Sequence, residues 1–138
     1  MTRSDPQEEQ NMQQTQRVKA LAKAFGWALG YLVLGKILTL VLLPETQLLF
    51  FVHRCVTAPV VEELVFRGAI QSALQPLGGV AAVWVQAALF AVQHSGAAGM
   101  LYALAMGAVL GQLRQKSGSC LPGMLLHALN NLMVFAAG

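Results

Sequence analysis

Residues 25–43 form a nearly continuous apolar run in which Lys36 is the one charged residue. The length of this run approaches the roughly 20 residues that cross a hydrocarbon core about 30 Å thick. Further apolar segments follow after clear breaks in the sequence, over residues 47–74, 80–93, 97–113 and 120–137. We therefore predict an all-α protein, a polytopic transmembrane helix bundle with about five membrane segments.

The overall composition agrees with a membrane protein. Hydrophobic residues make up 56% of the chain and charged residues 11%, a balance that is too apolar for a soluble domain of this size. Residues 1–24 differ, because they are rich in Gln, Glu and basic side chains. We predict a polar and basic N-terminal tail there, disordered or frayed up to residue 16, and a transmembrane domain over residues 25–138.

The basic residues flank apolar segments and lack the interleaved aromatic side chains of a nucleic-acid-binding surface. They are interpreted as topology signals, so we expect a lipid bilayer and no nucleic acid as partner. The first apolar run is followed by Leu-Pro-Glu-Thr with no small-residue cleavage site, and we expect it to remain as an anchor. Cys55 and Cys120 form no ligand cluster and are interpreted as small core residues.

Acidic residues are rare in the apolar part of the chain. Inserting an ionisable side chain at the centre of a membrane helix costs on the order of 2.5–3.5 kcal/mol of free energy. Each such side chain is therefore expected to have a stabilising partner or a function. Glu62 and Glu63 are the only acidic residues after Glu45. Glu63 and Arg67 are four residues apart, an acid before a base, and are predicted to form an ion pair on one helix face. Glu62 is turned about 100° away around the helix and is predicted to face a cavity.

Two further groups of polar residues lie on later apolar segments. His94 ends the third segment and shares a helix face with Phe90, while His127 and Asn131 are four residues apart on the last segment. Together with Glu62, these side chains come from three different helices. They offer a base, a second titratable group and two hydrogen-bond donors, which are the groups that attack of water on a carbonyl requires.

Three motifs occur in a fixed order: EExxxR beginning at Glu62, FxxxH ending at His94 and HxxxN beginning at His127. In this order on apolar segments, they resemble the CPBP family of intramembrane proteases. That family groups the type II CAAX prenyl endopeptidases with bacterial bacteriocin-processing and Abi-type proteins. The other two residues of the first motif, Glu63 and Arg67, match positions with a supporting role.

The resemblance implies a catalytic core at about residues 55–135. Glu62 and His94 match the pair that activates water, and His127 and Asn131 match the pair that stabilises the oxyanion. The resemblance implies an endopeptidase without cofactor or metal, acting on peptide or protein substrates as an integral, multi-pass protein of a bacterial plasma membrane. Members usually carry more helices before the first motif than the one clear span present here. A homo-oligomer is therefore one expected way to complete the substrate cavity.

Two other functions stay open on the sequence alone. Glu62, His94 and His127 could supply a two-His-one-carboxylate site for zinc, although no HExxH motif is present. Alternatively, the chain could be a non-catalytic membrane scaffold or an immunity-type protein that keeps the fold. In that case Glu62 would be a structural partner of Arg54 or Arg67. His94 would then be an interfacial side chain, and the HxxxN pair would only join helices.

Some polar and aromatic residues fall outside the three motifs. No motif includes His53 or Arg54. Tyr31 and Tyr102 are interpreted as packing or interface aromatics rather than site residues.

The basic residues also predict an orientation. Those of the N-terminal tail and those of the loop at residues 114–119 fall on the same side of a bundle that crosses five times. The positive-inside rule makes that side cytoplasmic. We therefore predict a site that opens to the non-cytoplasmic side and a C-terminus outside.

Overall fold

The computed structural model describes residues 6–42 and 47–137, which form helices joined by short turns, with no β-strand among them. The α-helices are α1 (Pro6–Leu42), α2 (Gln47–Val52), α3 (Ala58–Glu63), α4 (Gln71–Ala73), α5 (Gly79–Ala91), α6 (Ala97–Ser117) and α7 (Leu121–Ala136). The remaining helical segments are π-helical at His53–Thr57 and Leu64–Ile70, and 3₁₀ at Gln75–Leu77. The prediction of an all-α helical bundle is therefore confirmed.

Helix α1 begins at Pro6, where we predicted a disordered or frayed stretch up to residue 16. Proline is tolerated in the first helical turn, and Glu8 and Glu9 there interact favourably with the helix dipole. The Gln, Glu, Lys and Ala residues that follow are good helix formers, so local propensity favours a helix even without an apolar face. With 37 residues, α1 is about 55 Å long and exceeds the thickness of a hydrocarbon core.

Helix α1 packs against the π-helical segment Leu64–Ile70. Small buried residues recur every four positions along the packed face, at Ala20, Ala24 and Ala28. Further along α1, the ring of Tyr31 packs edge-on against Phe66, with ring centroids 5.6 Å apart. Because small side chains let helix backbones approach closely, the middle of α1 lies beside the EExxxR motif.

The predicted helical stretch over residues 47–74 is helical throughout but irregular, because π-helical segments flank α3. Pro59 lies in the first turn of α3, where a missing N–H is tolerated. Just before it, the N–H of Ala58 bonds to the carbonyl of His53, five residues back. The widened turns thus accommodate the change of hydrogen-bond register at the proline. Both glutamates of the first motif are carried on the short helix between the two π-helical segments.

Helices α5 and α6 form a closely packed antiparallel pair. A Cβ added at Gly107 would lie 3.1 Å from Cα of Ala87, and one added at Gly111 would lie 3.2 Å from Cγ1 of Val83. The later glycine of α6 thus meets the earlier residue of α5, so the two helices run antiparallel. The glycines of α6 therefore allow the two helix backbones to approach closely.

Polar side chains are buried in this fold, and many large apolar side chains are exposed. The buried polar or charged residues are Glu63, Arg67, Gln71, Gln86 and His127. The exposed apolar residues include Trp84, Leu101, Val109 and Leu125. A water-soluble protein rarely exposes so much contiguous apolar surface, whereas a lipid-facing surface is apolar. This distribution supports a membrane environment for the bundle.

Two helices of the described chain are long and apolar enough to cross a membrane, Gln7–Gly35 within α1 and Ala97–Ser117, which is α6. Helices α5 and α7 are also apolar but have 13 and 16 residues. They are therefore about 20 and 24 Å long, short of a core of about 30 Å. The number of five membrane segments stays a prediction.

Candidate active site

A cavity of about 790 Å³ opens among the helices that carry the three motifs. Its lining includes all four residues that the sequence analysis assigned to catalysis: Glu62, His94, His127 and Asn131. It is completed by Phe50, His53, Arg54, Ala58, Phe90, Tyr102, Ala103, Met106, Asn130, Val134 and Phe135. Side chains that are far apart in the sequence thus share one cavity.

Glu62 lies on α3 with its side chain about 20% exposed. The hydroxyl of Tyr31 donates a hydrogen bond to Oε1 of Glu62 at 3.0 Å. The other carboxylate oxygen, Oε2, lies 3.7 Å from Nε2 of His127. The partners of Glu62 are therefore a tyrosine from α1 and a histidine from α7, while Arg67 is paired with Glu63.

Glu63 is buried and joins two elements of the site. Its Oε1 lies 3.0 Å from Nη1 of Arg67, which confirms the predicted ion pair. The same oxygen lies 3.1 Å from Nδ1 of His127, a contact that the sequence analysis did not anticipate. A glycine at 123 makes room for this arrangement, because a Cβ there would lie 2.5 Å from Oε2 of Glu63. Glu63 thus holds the Nδ1 edge of the His127 ring in position.

Phe90 lies at the centre of the site. Its ring packs edge-on against His94, with centroids 4.8 Å apart, and against His127, with centroids 5.7 Å apart. The guanidinium of Arg67 lies over the same ring, 4.7 Å from the centroid. Nδ1 of His94 lies 3.2 Å from the carbonyl oxygen of Phe90, which orients the histidine ring. The phenylalanine of the FxxxH motif therefore positions both histidines.

Asn131 lies one helical turn after His127 and donates from Nδ2 to the carbonyl oxygen of Arg54 at 2.9 Å. This bond ties α7 to the π-helical segment His53–Thr57. Next to it, the hydroxyl of Tyr102 donates to Oδ1 of Asn130. The HxxxN pair therefore both lines the cavity and joins helices.

The sequence analysis missed several residues of this site. Tyr31 and Tyr102 were interpreted as packing aromatics, and His53, Arg54 and Asn130 were not assigned to it. All but Tyr31 line the cavity, and Tyr31 bonds to Glu62. No motif in the sequence signals these positions, because each reaches the site only through the docking of its helix.

The side chains of the zinc alternative do not form a compact ligand set. Among residues 6–42 and 47–137, no group of three or more His, Cys, Asp or Glu side chains is arranged to hold a metal ion. Cys55 and Cys120 are both free, and of the two predicted core residues Cys55 is buried whereas Cys120 is partly exposed.

Comparison with known proteins identifies the family. Residues 44–133 match the Rce1-like family, described as type II CAAX prenyl endopeptidase Rce1-like. The match covers more than half of the chain and includes all three motifs. No curated protein and no solved structure matches the chain significantly. The match confirms the resemblance to the CPBP proteases, and the chain therefore belongs to the Rce1-like family of type II CAAX prenyl endopeptidases.

Proposed function

We propose that the protein is an intramembrane endopeptidase that hydrolyses peptide bonds of membrane-associated substrates with water activated by Glu62 and His94. Membership of the family supports a protease-type enzyme. The position of Glu62 carries the proposal: its carboxylate lines the cavity, Tyr31 donates to one oxygen, and His127 faces the other. A carboxylate that is fixed by neighbours and open to a cavity suits a general base.

The tautomer of His94 supports its role beside Glu62. A carbonyl oxygen only accepts hydrogen bonds, so the contact with Phe90 assigns the proton to Nδ1 of His94. In the neutral ring, Nε2 is then an acceptor. Glu62 and His94 together hold a water molecule, and Glu62 takes its proton as the oxygen attacks the substrate carbonyl carbon.

His127 and Asn131 are the proposed donors to the oxyanion. Nδ1 of His127 donates to the carboxylate of Glu63, and Nε2 can donate to an oxyanion when it also carries a proton. The ring lies between two carboxylates, with Nδ1 beside Glu63 and Nε2 on the side of Glu62. Such donors stabilise the negative oxygen that develops in the tetrahedral intermediate.

The reaction ends without a covalent acyl-enzyme. The peptide C–N bond breaks as the intermediate collapses, and the proton that Glu62 took from water passes to the leaving amine. Apolar side chains on the cavity wall, among them Phe50, Val134 and Phe135, suit a substrate that carries an apolar or lipidated segment. The family description makes a prenylated CAAX peptide the first substrate to test.

Replacing Glu62 by Gln tests this function directly. In purified protein reconstituted in vesicles, we expect Glu62→Gln to lower cleavage of a quenched fluorescent prenylated CAAX peptide by about 10²- to 10⁴-fold. Helix content should be unchanged, because glutamine keeps the volume and the acceptor for Tyr31. The matched control is Glu8→Gln, an exposed position in the first turn of α1.

Several outcomes would contradict the proposal. Full activity of Glu62→Gln would exclude Glu62 as the base. Loss of wild-type activity with a chelator, restored by zinc, would favour the metal alternative. Folded wild-type protein that cleaves neither the prenylated peptide nor its unprenylated form would favour the scaffold alternative.

A further inference from the structure

A second cavity, of about 290 Å³, lies beside α6 and extends inward to Arg67. All six of its lining residues are polar and none is acidic: Arg67, Gln71, Ser72, Gln75, Arg114 and Gln115. None of the four proposed catalytic residues lines this polar pocket. An entirely polar lining that contains two guanidinium groups is unusual in so apolar a chain and calls for a charged ligand.

Within residues 6–42 and 47–137, only one of the two arginines of the polar pocket has an anionic partner. Arg67 is paired with Glu63. Arg114 is only partly exposed, and no ion pair within the described part of the chain includes it. The sequence contains no Asp or Glu after Glu63 that could neutralise Arg114. A cation that is partly removed from water is stabilised by an anion nearby, and a ligand would supply the anion that the described residues do not provide for Arg114.

Unpaired polar atoms indicate what the anion contacts. Nε of Arg67 and Nε of Arg114 are buried donors without a hydrogen-bond partner, and Oε1 of Gln71 is a buried acceptor without one. Arg67 and Gln71 are almost completely buried. Guanidinium donors fit phosphate oxygens, and the amide oxygen fits a hydroxyl group. Buried groups of this kind are normally satisfied, so a ligand with both features would complete the pocket.

The walls of the polar pocket are held by hydrogen bonds of their own. Nε2 of Gln71 donates to the carbonyl oxygen of Gly111 at 2.9 Å and to Oε1 of Gln115 at 3.0 Å. Nε2 of Gln75 donates to the same Oε1 atom at 3.2 Å. The amide side chains therefore link α4 and the 3₁₀ segment Gln75–Leu77 to α6, and they leave the guanidinium groups available to the ligand.

The position of the polar pocket favours a lipid as the source of the phosphate. Arg114 lies in the last turn of α6, a candidate membrane-spanning helix of 21 residues and about 31 Å. Its end therefore reaches the level of the lipid headgroups. The neighbouring surface carries Lys116 and the exposed Trp84, which are typical of a membrane interface.

We propose that the polar pocket binds the phosphate group of an anionic phospholipid whose headgroup also carries a hydroxyl. The site is separate from the proposed catalytic cavity and does not depend on proteolytic activity. It predicts selective retention of such a lipid at the face of the membrane where α6 ends.

Native mass spectrometry tests this proposal with phosphatidylglycerol and phosphatidylcholine offered in equal amounts to the purified full chain. We expect wild type to retain phosphatidylglycerol selectively. Arg114→Gln should weaken this binding about tenfold, the size expected for one charge-assisted contact. Lys116→Gln is the matched control, because Lys116 shares the last turn of α6 and the same charge but does not line the polar pocket. Arg114→Lys, which keeps the charge without the planar fork, should give intermediate binding.

Three results would overturn the proposal. The first is equal retention of the two lipids by wild type. The second is equal loss of phosphatidylglycerol in Arg114→Gln and Lys116→Gln, which would indicate general surface charge. The third is complete displacement of the lipid by inorganic phosphate in an Arg114-dependent way, which would assign the pocket to free phosphate. If Arg114→Gln does not fold, unchanged selectivity and affinity in Arg114→Lys would exclude a bidentate phosphate contact.

Discussion

Two adjacent glutamates occupy different environments in this protein. Glu63 is buried, paired with Arg67 and bonded to His127. Glu62 is partly exposed to the large cavity and accepts a hydrogen bond from Tyr31. Successive residues of an α-helix point about 100° apart, so one step along α3 separates a carboxylate that is enclosed by partners from one that is open to a substrate.

The buried ion pair should matter more to folding than to chemistry. Glu63→Ala or Arg67→Ala leaves the other charge unpaired in an apolar interior, and each should lower the free energy of unfolding by about 3–5 kcal/mol. Removing both should cost less than the sum of the two single changes. Thermal unfolding and folded yield in detergent measure this, with Glu62→Gln as the control at the neighbouring carboxylate. Normal yield with selective loss of turnover would show that the pair acts in catalysis.

Tyr31 should act as a positioning residue for Glu62. Tyr31→Phe removes the hydroxyl that donates to Oε1 of Glu62 but keeps the ring that packs on Phe66. We expect kcat to fall about tenfold, the size of one hydrogen bond to a charged group, with KM and the unfolding temperature nearly unchanged. The control is Tyr102→Phe, whose hydroxyl bonds to Asn130. An equal fall in kcat for both variants would argue against a specific role of Tyr31.

At the scale of the elements, glycine and π-helical turns determine how closely the helices meet. The π-helical segments on either side of α3 accommodate Pro59 and carry the motif glutamates between them. On α6, the carbonyl oxygen of Gly107 accepts hydrogen bonds from Gln86 at 2.8 Å and from Arg67 at 3.4 Å. These bonds require the backbone of α6 to approach both neighbouring segments.

A side chain at Gly107 should separate α5 from α6. In Gly107→Ala the new Cβ would lie 3.1 Å from Cα and Cβ of Ala87, and backbone atoms can move away only if the helices part. We expect a loss of about 1–3 kcal/mol in unfolding free energy, although alanine is the better helix former. The control on the same helix is Gly99→Ala, whose Cβ would lie 4.0 Å from Cβ of His94. Equal unfolding midpoints for the two variants would contradict the close packing.

At the scale of the whole molecule, the distribution of polarity is the reverse of that in a soluble domain. Glu63, Arg67, Gln71 and Gln86 lie inside, while large apolar side chains cover much of the outside. In lipid this arrangement is favourable, because apolar side chains face the hydrocarbon and polar groups find partners within the bundle. The two basic clusters, one before the first apolar run and one in the last turn of α6, are predicted to set the orientation of the bundle.

The predicted orientation can be tested with single cysteines. With Cys55 and Cys120 replaced by Ser, Gly138→Cys should react with a membrane-impermeant thiol reagent in intact cells. The structure extends α6 through Ser117, so most of the predicted basic loop at residues 114–119 is the last turn of that helix. Ser117→Cys, at this basic end of α6, should react only after lysis, because the positive-inside rule makes that end cytoplasmic. The opposite labelling pattern would invert the topology and leave the catalytic proposal standing.

The sequence by itself determined the features that depend on neighbouring residues. Apolar runs separated by Pro and Gly predicted the helices, and four-residue spacing predicted the Glu63–Arg67 pair, because helix geometry fixes both locally. The order of the three motifs also sufficed to indicate the family. The helical start of α1 at Pro6 differs from the predicted frayed tail, because Gln, Glu, Lys and Ala favour a helix even without an apolar face.

Only the tertiary structure decided which faces of these helices meet. The bond from Tyr31 to Glu62, the position of His127 between Glu62 and Glu63, and the bond from Asn131 to Arg54 all join distant parts of the chain. Such contacts depend on how each helix is rotated and how closely it docks. Rotation and docking follow from packing over the whole bundle, so no local pattern in the sequence encodes them.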